Sequence, residues 1–255
     1  MDKPVLKDKY TIDDLLNILT ALRAEDGCPW DKVQTHETLK KCMIEEVYEA
    51  IDALDAGDDA LFANELGDVL LQVAFHAQIA KERGAFDFDR ILFELCTKLI
   101  TRHTHVFGDA KAGNAEEALA TWEQNKKKEK KSATSAEILD EVPHHLPALM
   151  RAEKVQKKAA SFGTDFGDAK NTAAKLQAAV SELIGDIDEN KNPSAAFRKI
   201  LLAAVCLGRH LHLTSETELN AATNDFIEKF SSAESSEKPL DSVFQAIFLD
   251  EMNIF

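Results

Sequence analysis

The chain of 255 residues is long enough for one large or two small domains, and a hydrophobic fraction of 45% allows a core to form. Only 10 glycines and 6 prolines, in a chain rich in Ala, Leu, Glu and Lys, favour helices over strands. A net charge of −15 argues against a stable nucleic-acid partner, although a metal ion can still join an acidic protein to an anionic nucleotide.

In chain order, Thr11 reads as an N-cap with Asp14 three residues on, and Ile12, Leu15, Leu16, Leu19 and Leu22 follow at helical spacing. DGCPWDK, residues 26–32, breaks that helix. A second helix is expected over about 38–54, with Leu39, Met43, Val47, Ile51 and Leu54 on one stripe. A third is expected over about 61–83, carrying Leu66, Val69, Leu70 and Val73 inward until Gly84 stops it. A fourth covers about 88–102, and a fifth about 115–131. KKKEKKSATSAE, residues 126–137, reads as a surface helix end and linker. Pro143 and Pro147 mark a boundary, after which helices are expected over about 172–183, 193–213 and 219–230, with an apolar helical tail at SVFQAIF. No stretch alternates with period two, so the expected class is all-α, with four helices of the first half forming a bundle-like core.

Four cysteines, Cys28, Cys42, Cys96 and Cys206, include no C-x-x-C pair. No signal peptide or long apolar run is visible, so a soluble cytoplasmic protein with reduced thiols and no membrane partner is expected.

The acids are patterned. Glu46 and Glu49 are three apart and share a helix face; Glu65 and Asp68 are three apart on the next helix. A short connection makes the two helices antiparallel, so the pairs can meet, at a Coulomb cost that a cation would relieve. All-oxygen donors suit Mg2+ or Mn2+. Glu45 lies about 100° round the helix from Glu46, at the edge of such a cage. The plain alternative is a wet acidic face. A di-iron bundle is disfavoured because His76 does not stand three residues after a glutamate ligand, and no Cys or His spacing suggests zinc. Lys98 and Arg102 share a face one turn apart, as do Trp122 and Lys126, and the cations among them suit phosphate. Each also has a structural explanation: a snorkelling Lys98, a core Trp122, and His103 and His105 as a helix cap.

Taken together, GCPWDKVQTHETL, EEVYEAIDAL, ELGDVLLQVAFHAQIA, KLITRHTHVFGD, TWEQNK and LPALMRAEKVQKKA resemble the MazG family of nucleoside triphosphate pyrophosphohydrolases, in order through the first half and the junction. The resemblance implies an all-α fold that dimerises with itself and a Mg2+-dependent hydrolysis of a nucleoside triphosphate to monophosphate and pyrophosphate. It implies Glu46, Glu49, Glu65 and Asp68 as metal ligands, with Glu45 as an outer ligand or base. Lys98 and Arg102 would contact phosphate, Trp122 and Lys126 would close over the nucleotide, and Trp30, Asp31 and Lys32 would form an entry loop.

Members of this length carry two copies of the fold. The expected division is 1–131, a linker at 132–143, and 144–255. Aligning the copies sets Glu65 against Ala196, Asp68 against Lys199, Glu45 and Glu46 against Ala178 and Ala179, and Glu49 against Glu182. Asp225 and Lys229 stand at Lys98 and Arg102, and Phe244 and Phe248 at Trp122 and Lys126. The second copy therefore reads as eroded, kept for packing and assembly. The first copy is expected to carry catalysis; the alternative is a catalytically weak nucleotide sensor or regulatory scaffold.

Overall fold

A computed structural model describes residues 6–129, 134–165 and 167–235, and among them every regular element is a helix. The chain divides into two compact units, Met1–Lys130 and Lys131–Phe255.

In the first unit, α1 (Ile12–Arg23) begins at a full capping box: Thr11 Oγ1 accepts from the Asp14 amide at 3.2 Å, and the Asp14 carboxylate accepts from the Thr11 amide at 3.0 Å. The segment read as a break ends α1 but holds a short helix of its own, α2 (Pro29–Val33), which Pro29 starts with its preset φ. The long pair α3 (Lys40–Asp55) and α4 (Asp59–Glu82) follows. Gly57 turns between them at φ 69, and Asp58 caps α4 by accepting from the amides of Ala60 and Leu61. Next come α5 (Phe88–Arg102), capped by Asp87, the one-turn α6 (Thr104–Phe107) and α7 (Ala115–Lys128).

The core of this unit gathers on the C-terminal half of α4, with Ala74, Phe75, Ala77 and Ile79, joined by Leu19 of α1, Leu39 at the start of α3 and Phe88 at the start of α5. Arg23, its side chain only 7% exposed, ties three elements together. It donates to both Glu82 oxygens at 2.8 and 2.7 Å and to the carbonyls of Asp31 and Gln34.

The inward assignment of Leu66 and Leu70 is corrected: both are exposed, as are Met43, Val47, Ile51 and Leu54 of the α3 stripe. The residues that α3 buries are Ala50 and Ala53. Small side chains close the α3/α4 seam, and the branched ones are left on its outer side.

The second unit holds α8 (Ser135–Asp140), α9 (Ala148–Ala160), α10 (Ala169–Asp188), α11 (Ser194–His210) and α12 (Ser215–Ser235). The α10/α11 pair repeats the α3/α4 pair, again closed by small buried residues: Thr172, Ala179, Ala196 and Ala203. The span read as a linker is corrected in part. Thr134 and Glu137 form a capping box that starts α8, which packs on α9, and Val142 is buried. LPALMRAEKVQKKA, assigned no element from sequence, supplies α9. The SVFQAIF tail, with Phe244 and Phe248, lies outside the described residues. No helix among the described residues is long and apolar enough to cross a membrane.

Candidate active site

The acids sit where α3 and α4 face each other. Carboxylate oxygens of Glu46, Glu49 and Glu65 lie within 4.8 Å of one another. Burial, and then the charges of Asp68, Glu49 and Glu65, push the Glu46 carboxyl above the ordinary glutamate range. Asp68 stands outside the group of three, yet its charge acts on Glu46 more strongly than either neighbour's. Three of the acids lie together, and Asp68 is near enough for its charge to act on Glu46.

One residue that sequence reasoning missed belongs here. Gln72, one turn beyond Asp68, is buried and donates from Nε2 to Glu46 Oε1 at 3.3 Å; its Oε1 is buried without a partner. Its only trace in the sequence is a lone amide inside the apolar run LLQVAF, about one turn from Asp68, which by itself sets no spacing. His76, one turn further, stacks on His36 with Nδ1 atoms 2.8 Å apart, and burial lowers its pKa.

Glu45 does not join the acids. Its carboxylate lies 2.8 Å from Lys41 Nζ in an exposed pair one turn apart. A metal held here would meet Glu46, Glu49 and Glu65, with Asp68 near them, all hard oxygens, and an orphaned amide oxygen beside Glu46. That chemistry fits Mg2+ or Mn2+ and not a thiol- or imidazole-seeking metal.

The cationic residues form a second group on α5 and α7. Arg102 holds Glu129 with two nitrogens, at 3.2 and 2.7 Å, and its guanidinium lies 5.4 Å from the Trp122 ring centroid. Lys126 Nζ lies 4.8 Å from the same ring, so Trp122 is flanked by two cations. Arg102 holds the Glu129 carboxyl below its usual range, and the Lys98 charge adds to that. Asn125 donates to the Arg102 carbonyl and to Thr104 Oγ1, which fixes the bend between α5 and α6. His103 caps α5, as its structural explanation held, with Nδ1 2.6 Å from the Leu99 carbonyl. Lys32 binds the Glu25 carbonyl, and Trp30 is exposed on α2.

In the second unit the aligned positions are closed. Lys199 Nζ donates to both Glu182 oxygens, at 2.7 and 2.8 Å, and Ala179 and Ala196 are buried in the helix seam.

A model of the MazG nucleotide pyrophosphohydrolase domain matches residues 34–107, a stretch that includes all four acids, Lys98 and Arg102. The nucleoside triphosphate pyrophosphohydrolase/pyrophosphatase MazG of Thermotoga maritima is 40% identical over 225 residues, covering 87% of this chain and 85% of that one. The nucleoside triphosphate pyrophosphohydrolase of Escherichia coli K12 is 40% identical over 228 residues, covering 88% and 87%. A crystal structure of a mazG-related protein from Thermotoga maritima is 28% identical, covers 46% of this chain and 99% of that one, and gives a TM-score of 0.40, a likeness too slight to bear on packing. With two relatives at 40% identity along nearly their whole length, the chain belongs to the MazG family.

Proposed function

We propose that the chain hydrolyses nucleoside triphosphates to the monophosphate and pyrophosphate, that the reaction depends on Mg2+, with Mn2+ as a substitute, and that the first unit carries it. The observation that carries this reading is the meeting of three carboxylates within 4.8 Å beside a buried, orphaned amide oxygen. Burial first, and then the repulsion of Asp68, Glu49 and Glu65, raises Glu46, and like charges gathered this way are unfavourable unless a cation joins them. The names of the two relatives at 40% identity support the reaction class.

Glu46, Glu49, Glu65 and Asp68 would hold the metal, which supplies charge neutralisation on the phosphates, a more acidic water and a grip on the departing pyrophosphate. Gln72 fixes the direction of the Glu46 carboxylate. Lys98 and Arg102 take phosphate oxygens that the metal leaves uncovered, Arg102 by exchanging Glu129 for substrate. Trp122, already faced by Arg102 and Lys126, closes over the nucleotide. Lys32 and Trp30 would serve the entry of the nucleotide, the role the family resemblance gives them. Glu45, paired with Lys41 at the rim, would act as an outer ligand or base.

The partner that suits the outer side of α3 and α4 is a second copy of this chain. Met43, Val47, Ile51, Leu54, Leu66 and Leu70 are all exposed, a row of apolar side chains that a homodimer would cover.

The test follows pyrophosphate release from a mixture of triphosphates with Mg2+. Glu49→Gln should abolish release, and Glu182→Gln should leave it intact. Loss of turnover in Glu182→Gln alone would place the reaction in the second unit. Tight nucleotide binding without release in the unaltered protein would make it a sensor.

A further inference from the structure

Cys206 and His210 are four apart on α11 and so share one helical face. Asp165, from the turn between α9 and α10, reaches the same point, and one ligand atom from each of the three lies within 4.8 Å of the other two. Cys206 is buried, and the His210 side chain is only 13% exposed. A cation already stands at the focus. Arg209 Nη2 donates to Asp165 Oδ1 at 2.5 Å and to Cys206 Sγ at 3.5 Å, and lies 3.4 Å from His210 Nε2. The arginine fits imperfectly, because its Nε is buried with no partner.

We propose that Asp165, Cys206 and His210 form a second divalent-metal site, of zinc type, in which the metal displaces the Arg209 guanidinium. The donor set of thiolate, imidazole and carboxylate is the one zinc takes with three protein ligands and an open fourth position. It differs in kind from the all-oxygen set of the first unit. Binding releases the Cys206 thiol proton to solvent, leaves His210 neutral, and turns Arg209 outward. Zinc holds sulfur at about 2.3 Å and imidazole at about 2.0–2.1 Å, so the donors close by about 1 Å on the point that Nη2 now marks. Cys206 and His210 alone gave no zinc signal in the sequence, because the third donor comes from 41 residues before Cys206 and only the fold brings it in.

The experiment titrates Co2+ into the reduced full chain and follows thiolate-to-cobalt charge-transfer absorption, which carboxylates of the first unit cannot produce. The expected result is a band that saturates at one Co2+ per chain, is bleached by Zn2+, vanishes in Cys206→Ser, and persists when Cys28, Cys42 and Cys96 are all changed to Ser. Arg209→Met removes the competing cation and should tighten Co2+ binding about tenfold or more. No band, or a band that survives Cys206→Ser, overturns the proposal, as does an Arg209→Met protein that folds and binds no more tightly. The serine variants decide the matter should Arg209→Met fail to fold.

Discussion

On α3 and α4, three carboxylates come within 4.8 Å, and the Glu46 carboxyl is raised by burial and by its acidic neighbours; on α10 and α11, the one acid kept at the aligned positions receives two hydrogen bonds from Lys199. The helix pairs share their architecture, down to the small buried residues in the seam. They differ in where the neutralising charge comes from. The second pair contains it in the chain; in the proposed function the first takes it from a bound cation. If the proposed function holds, the fold of the second pair persists by packing alone without an ionic site, while the uncompensated acidic cluster marks the pair that takes a cation.

The largest expected effect sharpens that contrast. Removing a ligand in the first unit, as in Glu65→Gln, should lower Mg2+-dependent turnover by more than about a hundredfold, since losing even an outer partner costs about 10–100-fold. Gln72→Ala, which frees Glu46 without removing it, should cost about 10–100-fold, with part of the loss recovered at raised Mg2+. Steady-state kinetics across a Mg2+ series checks both. Next in size is substrate affinity. Glu129 competes with phosphate for Arg102, so Glu129→Gln should lower KM about two- to fivefold, and Arg102→Ala should raise it; one neutralised charge-assisted bond has that scale.

Stability should move the other way. The Glu46 carboxyl is raised by burial and by Asp68, Glu49 and Glu65. A raised carboxyl contributes stability that is present below its unfolded value and lost as pH rises through its folded value. Metal-free protein should therefore lose stability as pH climbs from the ordinary glutamate range toward neutrality, and Glu46→Gln should flatten that loss while abolishing activity. In chelator at neutral pH, the variant's first unit should melt about 1–3 °C higher, read by calorimetry. The smallest effect belongs to the second unit. The Lys199–Glu182 pair is 58% and 45% exposed, so Lys199→Ala should change stability by less than about 1 kcal/mol in a denaturant titration, and turnover not at all.

Helix order and the acidic cluster were legible in the sequence because both follow from spacing: Thr11 with Asp14 sets a start, and three-residue intervals set a face. Burial was not legible. The apolar stripe Met43, Val47, Ile51, Leu54 has helical period whether it meets its own core or a second chain, and the structure leaves it outside. Gln72 was hidden because a single amide in LLQVAF carries no spacing signal by itself. Arg102 was read as free for phosphate; Glu129, 27 residues on, already holds it, and long-range ion pairs leave no mark in a local pattern. Glu45 was expected at the edge of the cage, and the helix there brings it to Lys41.

The central claim is that the first unit's acids, and not the second's, hold the divalent cation that triphosphate hydrolysis requires. Mn2+ binding counted by electron paramagnetic resonance, with a non-hydrolysable triphosphate present, tests it most directly. The account predicts that Glu65→Gln loses the triphosphate-dependent Mn2+ while Glu182→Gln keeps it; Mn2+ retained in full by Glu65→Gln, or lost in Glu182→Gln, would contradict it.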